Sequence, residues 1–71
     1  MNSNKTFQLW DNTLNKWVSG TVRFNPDNCI KIAIILHSIY PKKNYSVHDV
    51  TSDNFSIEIY NTNQDSIQDT K

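Results

Sequence analysis

Residues 25–41 read NPDNCIKIAIILHSIYP, and the reading of this stretch decides the fold. Asn25 is a good helix cap, and Pro26 suits the first helical position. Asp27 adds negative charge where the helix dipole favours it, while Pro41 stops the helix ahead of Lys42 and Lys43. The rival is a buried strand, because Ile30, Ile32, Ile34 and Leu36 alternate and isoleucine favours strands. Length decides for the helix: fifteen residues from 26 to 40 exceed a buried strand and suit a helix.

The flanking segments carry period two instead. In TFQLWD (6–11), Phe7 and Leu9 point one way and Thr6, Gln8 and Trp10 the other. Asn12 to Asn15 is a polar turn. WVSGTVRF (17–24) alternates again, with Val18, Gly20, Val22 and Phe24 on one face and Trp17, Ser19, Thr21 and Arg23 on the other. This predicts a hairpin whose Phe7, Leu9, Val18 and Val22 face the helix. Gly20, the only glycine, signals a bulge or a close backbone approach. NYSVHDV (44–50) reads as a third strand, TSDN (51–54) as a turn, and FSIEIY (55–60) as a fourth strand with Phe55, Ile57 and Ile59 sharing a face. The expected fold is α+β, a β-β-α-β-β domain with an antiparallel-rich sheet and one helix on one face. Residues 1–5 are expected to be a flexible start, 6–60 the single domain, and 61–71 a disordered tail.

At about 100° per residue, Cys29, Ala33, Leu36 and Tyr40 form the centre of the helix's apolar face. Isoleucines extend it on both sides, leaving only Asp27, Lys31 and Ser38 as a polar strip. A helix on one sheet needs an apolar stripe of a little over 100°, and this one is wider. Either the tail or a long loop covers the surplus, or Ile30, Ile34 and Ile35 mark association with a second copy, giving a homodimer, or with another protein, or the segment is a strand and the wheel does not apply.

The chain is 71 residues, so one domain at most, and a chain this short has a small core of its own. Its single cysteine forbids an internal disulfide and fits a reducing cytoplasm. The opening MNSNKTFQLW lacks the charged start and apolar run of a signal peptide, and the 29–40 segment is too short for a bilayer span, so no membrane role is expected. Seven basic and seven acidic residues cancel, which argues against a protein that coats DNA. Ten asparagines and eight isoleucines against one glycine and one glutamate suggest an AT-rich genome, that of a low-GC bacterium, an organelle or a virus.

Catalytic and metal chemistry find little to build on. Cys29 and His37 are about 12 Å apart along a helix, too far for a nucleophile–base pair. His48 and Asp49 point to opposite faces of a strand, and Glu58 is the only glutamate. Cys29, His37, His48 and Asp49 have no recognised ligand spacing, and one glycine cannot make a phosphate loop. No enzyme, cofactor or metal is expected. Three sequons, at Asn4, Asn44 and Asn54, are close to the chance number. The remaining candidates are Trp10, Trp17 and Arg23, expected together on the sheet face away from the helix. They would anchor another protein; alternatively they would stack single-stranded nucleic acid, or the tryptophans would only brace the hairpin. The expectation is a small non-enzymatic accessory factor or inhibitor, encoded by a phage or mobile element, that occupies a partner protein's surface.

Overall fold

The computed structural model describes residues 5–63; residues 1–4 and 64–71, most of the expected start and tail, lie outside the described residues. The elements are β1 (Phe7–Asp11), β2 (Lys16–Trp17), α1 (Pro26–Ile39), β3 (Tyr45–Asp49) and β4 (Ile57–Asn61). The sheet runs β2-β1-β3-β4 with every neighbouring pair antiparallel. The α+β, β-β-α-β-β expectation therefore holds, and the 29–40 stretch is helical up to Ile39.

The helix forms for the reasons its ends announce. The Asn25 side chain accepts from the Asp27 N–H, Pro26 opens the first turn, and the Tyr40 N–H donates to the Leu36 carbonyl at 2.8 Å. α1 lies over β1 and β3, the two central strands. Phe7, Leu9, Tyr45 and Val47 rise from these strands to meet Cys29 and Ala33, and these six residues are the core. Ala33, fully buried, puts only a methyl group between the helix and the sheet at its position. Val18, Ile30, Ile32, Leu36 and Tyr60 wall this centre. Tyr40, expected in the apolar centre, is instead exposed, because the backbone turns out of helical geometry at that residue.

The expected 17–24 strand is broken. A regular hairpin continuing from the Trp10–Trp17 pair would set Gly20 opposite Phe7, but Arg23 stands there, so three extra residues (23 − 20) intervene. The excursion begins after Val18, whose N–H still reaches the Leu9 carbonyl at 2.9 Å, and passes through Gly20 at φ 75. Thr21 fills the gap: its hydroxyl accepts from the Leu9 N–H at 3.2 Å and donates to the Val18 carbonyl at 2.7 Å. The strand ladder is thus mended by a buried side chain. Gly20 has open space where a Cβ would be, so its role is backbone freedom and not a close approach by the helix. An odd number of inserted residues reverses the alternation. Val22 consequently lies exposed and not in the core, and Thr21 is buried and not on the far face.

β4 departs from expectation in a related way. His48 pairs with Glu58 but Val47 with Tyr60, so β4 carries one extra residue, Ile59, against β3. The bulge brings Tyr60 against the core, while Phe55, Ile57 and Ile59, expected as an apolar face, are all exposed. The sheet also runs further than expected. Asn61 ends β4, and Thr62 is buried, its N–H donating to the Tyr45 carbonyl and its hydroxyl accepting from the Tyr45 N–H.

Candidate functional site

On the sheet face away from α1, Trp10 and Trp17 are direct cross-strand partners. Their rings meet edge to face, with centroids 4.9 Å apart and planes at 80°. His48, diagonal to Trp10 on β3, completes a triangle, its ring 5.4 Å from Trp17 and 6.5 Å from Trp10. The alternation made the tryptophan pair legible; the third member depends on the β1–β3 register, which it did not reveal.

Arg23 does not join them. It pairs with Phe7 and so belongs to the helix side of the sheet, the consequence of the three-residue excursion. Its guanidinium donates to the carbonyls of Gly20 (3.1 Å) and Val22 (2.8 Å), tying down its own loop. Its charge also reaches Cys29. Burial pushes the Cys29 thiol up, against a smaller opposing pull from Arg23, and the sulfur lies 3.6 Å from the Thr21 carbonyl. Cys29 is wholly buried and behaves as a small core residue. A base-stacking platform on the tryptophans would therefore lack its expected cation.

Behind the aromatic triangle runs a polar chain. The Asn12 amide donates to the Ser46 hydroxyl at 3.3 Å, and the same hydroxyl lies 2.9 Å from His48 Nε2. The other ring nitrogen, Nδ1, is buried without a hydrogen-bond partner among the described residues. Ser46 is wholly buried and so is shielded from any substrate. Burial holds the His48 pKa below 6.5, and the cross-strand Glu58 only partly offsets this. A group whose folded pKa is depressed contributes stability above its unfolded pKa and loses it as pH falls. Stability is thus expected to fall as pH drops below about 6.5 through the folded pKa, before the depressed carboxylates Asp11 and Asp49 titrate below 3.8. His48→Gln is expected to flatten this limb. An NMR titration of the His48 ring in the folded protein checks it: the expected midpoint is below 6.5, and one at or above 6.5 contradicts the burial argument.

A groove on the helix side, which sequence reasoning did not reveal, opens between the C-terminal half of α1 and the β1–β2 turn and holds about 580 Å³. Leu36 and Tyr40 form one wall, Leu14, Trp17 and Val18 the other. Its floor is an ion pair: Lys43 Nζ lies 3.0 Å from Asp11 Oδ2. The other Asp11 oxygen accepts from the N–H groups of Thr13 and Leu14, shaping the turn. Burial pushes Asp11 up, but these bonds and the Lys43 charge together hold it below the usual carboxylate value. Lys43 also lies 5.4 and 5.8 Å from the ring centroids of Tyr40 and Tyr45. Leu14 and Tyr40 are exposed at the groove's mouth beside the exposed Lys16 and Ser19, so the mouth sets apolar side chains among polar ones. Trp17, at the sheet edge, belongs both to this wall and to the aromatic triangle.

The three helix isoleucines do not form one patch. Ile30 is half-buried against the core. Ile34 and Ile35 are exposed but diverge by about 100° around the axis. Leu36 faces the groove, so Ile35, nearer to it on the wheel, borders that side and Ile34 the opposite one, toward β4.

Among the described residues no helix is long and apolar enough to cross a membrane, and no cluster of three His, Cys, Asp or Glu could hold a metal. No family model matches the chain, and neither the curated proteins nor the solved structures give a match.

Proposed function

We propose that this chain is a small non-enzymatic accessory factor or inhibitor that works by seating another protein's apolar side chains in the groove beside Trp17. The observation that carries the reading is the set of exposed apolar side chains around that groove: Leu14, Trp17 and Tyr40, with Lys16 and Ser19 among them, surround a cleft of about 580 Å³ braced from below by Asp11 and Lys43. Contact surfaces favour this combination of aromatic anchors over a rigid polar support. Trp17 is the expected anchor, held upright by its edge-to-face contact with Trp10. Composition supports a phage or mobile-element origin, and the single reduced thiol suits the cytoplasm.

Affinity capture from the native cells tests the reading. Leu14→Asp alters an exposed groove wall and is expected to leave the fold intact by circular dichroism while weakening capture of the partner at least tenfold. Lys31→Glu, on the polar strip of α1, is expected to capture it like the wild type. Equal capture by Leu14→Asp and wild type would sink the groove as the contact surface.

A further inference from the structure

The connection from β3 to β4 folds back over the sheet face away from α1. There Asp53 and Phe55 line a second pocket with Gln8 and Trp17, of about 380 Å³. Phe55 and Trp17 are 60% and 37% exposed, so both rings are open to a ligand. Trp17 is held in place, edge to face, by Trp10 and His48. Asp53 is exposed and makes no hydrogen bond or ion pair among the described residues. Gln8, Asn54 and Ser56 add neutral oxygens that accept hydrogen bonds. The chain's charges cancel overall but are sorted by face. Lys16 and Arg23 pair with Asp11 and Phe7, which puts them on the helix side. Lys31 lies on α1, Lys42 and Lys43 in the turn after it, and Lys5 within electrostatic reach of Asp49, itself opposite Phe7. The register therefore puts no lysine or arginine on the far face among the described residues, while Glu58, opposite His48, adds a second carboxylate to it. Burial holds the His48 pKa below 6.5, so this ring brings no positive charge at neutral pH.

Two open aromatic rings beside an uncommitted carboxylate attract a cation. The rest of the lining selects which one. A quaternary ammonium has no hydrogen to donate and would leave the oxygens of Gln8, Asn54 and Ser56 unmatched. A lysine ammonium is a compact, strongly hydrated charge that gives up much to leave water. A guanidinium is planar, stacks on aromatic rings, and points its N–H groups outward in its own plane at carboxylate and carbonyl oxygens. We propose that this pocket binds an arginine side chain, its guanidinium stacked on Trp17 and Phe55 and paired with Asp53. The chain's one arginine, Arg23, is tied to the Gly20 and Val22 carbonyls on the helix side, so a second copy does not supply the ligand. The source is a basic segment of a different protein, complementary to the carboxylates of this face. The pocket is separate from the groove, which opens on the helix side, although Trp17 at the sheet edge borders both.

An NMR titration of the full chain at low salt tests this, with an acetylated and amidated Gly-Arg-Gly peptide as the probe. The arginine peptide is expected to shift the Trp17 indole N–H and the Asn54 side-chain amide. The same peptide with lysine is expected to shift them less at equal concentration. With citrulline, which keeps the shape of arginine and loses its charge, no shift is expected. Asp53→Asn removes the charge at an exposed position, so it is expected to leave the circular dichroism spectrum unchanged and to weaken arginine binding about tenfold. Phe55→Ala, also at an exposed position, is expected to weaken it by removing one stacking surface. Leu14→Asp, which alters the groove, is expected to leave the titration as in the wild type, so failure of this proposal and failure of the groove are distinguishable. Citrulline binding as well as arginine would overturn the proposal and make the site one for a neutral ligand. Tetramethylammonium shifting the same signals more than arginine would overturn it in favour of a quaternary ammonium. An Asp53→Asn titration equal to that of the wild type, or no shift with the arginine peptide, would also overturn it.

Discussion

Leu9→Ala is expected to remove roughly half of the fold's stability at 25 °C. Leu9 is fully buried on the inner strand β1, directly opposite Val47, which is also fully buried, and beneath Cys29 and Ala33 of α1. Truncating a leucine in such a place costs about 2–5 kcal/mol through lost transfer energy and the cavity left behind. At about 0.05–0.15 kcal/mol per residue, a chain of this length has about 4–11 kcal/mol in all, so the loss takes roughly half of it. Urea denaturation followed by tryptophan fluorescence would show the midpoint falling by roughly half. Val22→Ala is the informative contrast. A regular 17–24 strand would turn Val22 toward the helix, one step beyond Phe7, and make its truncation costly. The Thr21 excursion leaves it at the surface, and the expected change is within about 0.5 kcal/mol.

Asp11→Ala is expected to cost about 2–3 kcal/mol, from the loss of a buried acceptor serving three donors. One carboxylate oxygen holds the N–H groups of Thr13 and Leu14, the other holds Lys43, and Asp11 itself is only 3% exposed. At about 4–8 °C per kcal/mol for a domain this small, the melting temperature falls by about 10–20 °C. Asp11→Asn keeps an oxygen for the turn and loses only the charge, so it is expected to cost about half as much. Calorimetry on the two variants separates turn-shaping from ion pairing: equal losses would mean that the turn contributes nothing. The side chain that shapes the turn also floors the groove, so Asp11→Ala is expected to weaken partner capture as well.

The helix was legible because its determinants are local. Asn25, Pro26 and Pro41 act within a turn of their own positions, and the structure uses each where it stands. The Trp10–Trp17 pair was legible because period two survives across a tight turn. Alternation fails wherever a residue is inserted, and both errors of facing have that cause. Gly20 announced a bulge, but its size depends on Thr21 reaching back to Leu9, a contact between distant residues. Three extra residues then carried Arg23 to the other side of the sheet. One extra residue at Ile59 likewise turned Tyr60 inward. Alternation also says which side chains share a face and not whether anything covers it. Phe55, Ile57 and Ile59 do share a face by sequence, but α1 stops short of it. The groove was invisible for a related reason, since Asp11 and Lys43 meet only when β1 and the segment after α1 are brought together.

The most direct measurement of partner binding at the groove is site-specific cross-linking. A photoreactive residue placed at Leu14 and activated in the native cells is expected to give one discrete adduct. Mass spectrometry of that adduct is expected to identify a second, different protein, and the same residue placed at Lys31 is expected to give none. Absence of any adduct at position 14, or the same adducts from both positions, would contradict the groove as the surface through which this protein acts.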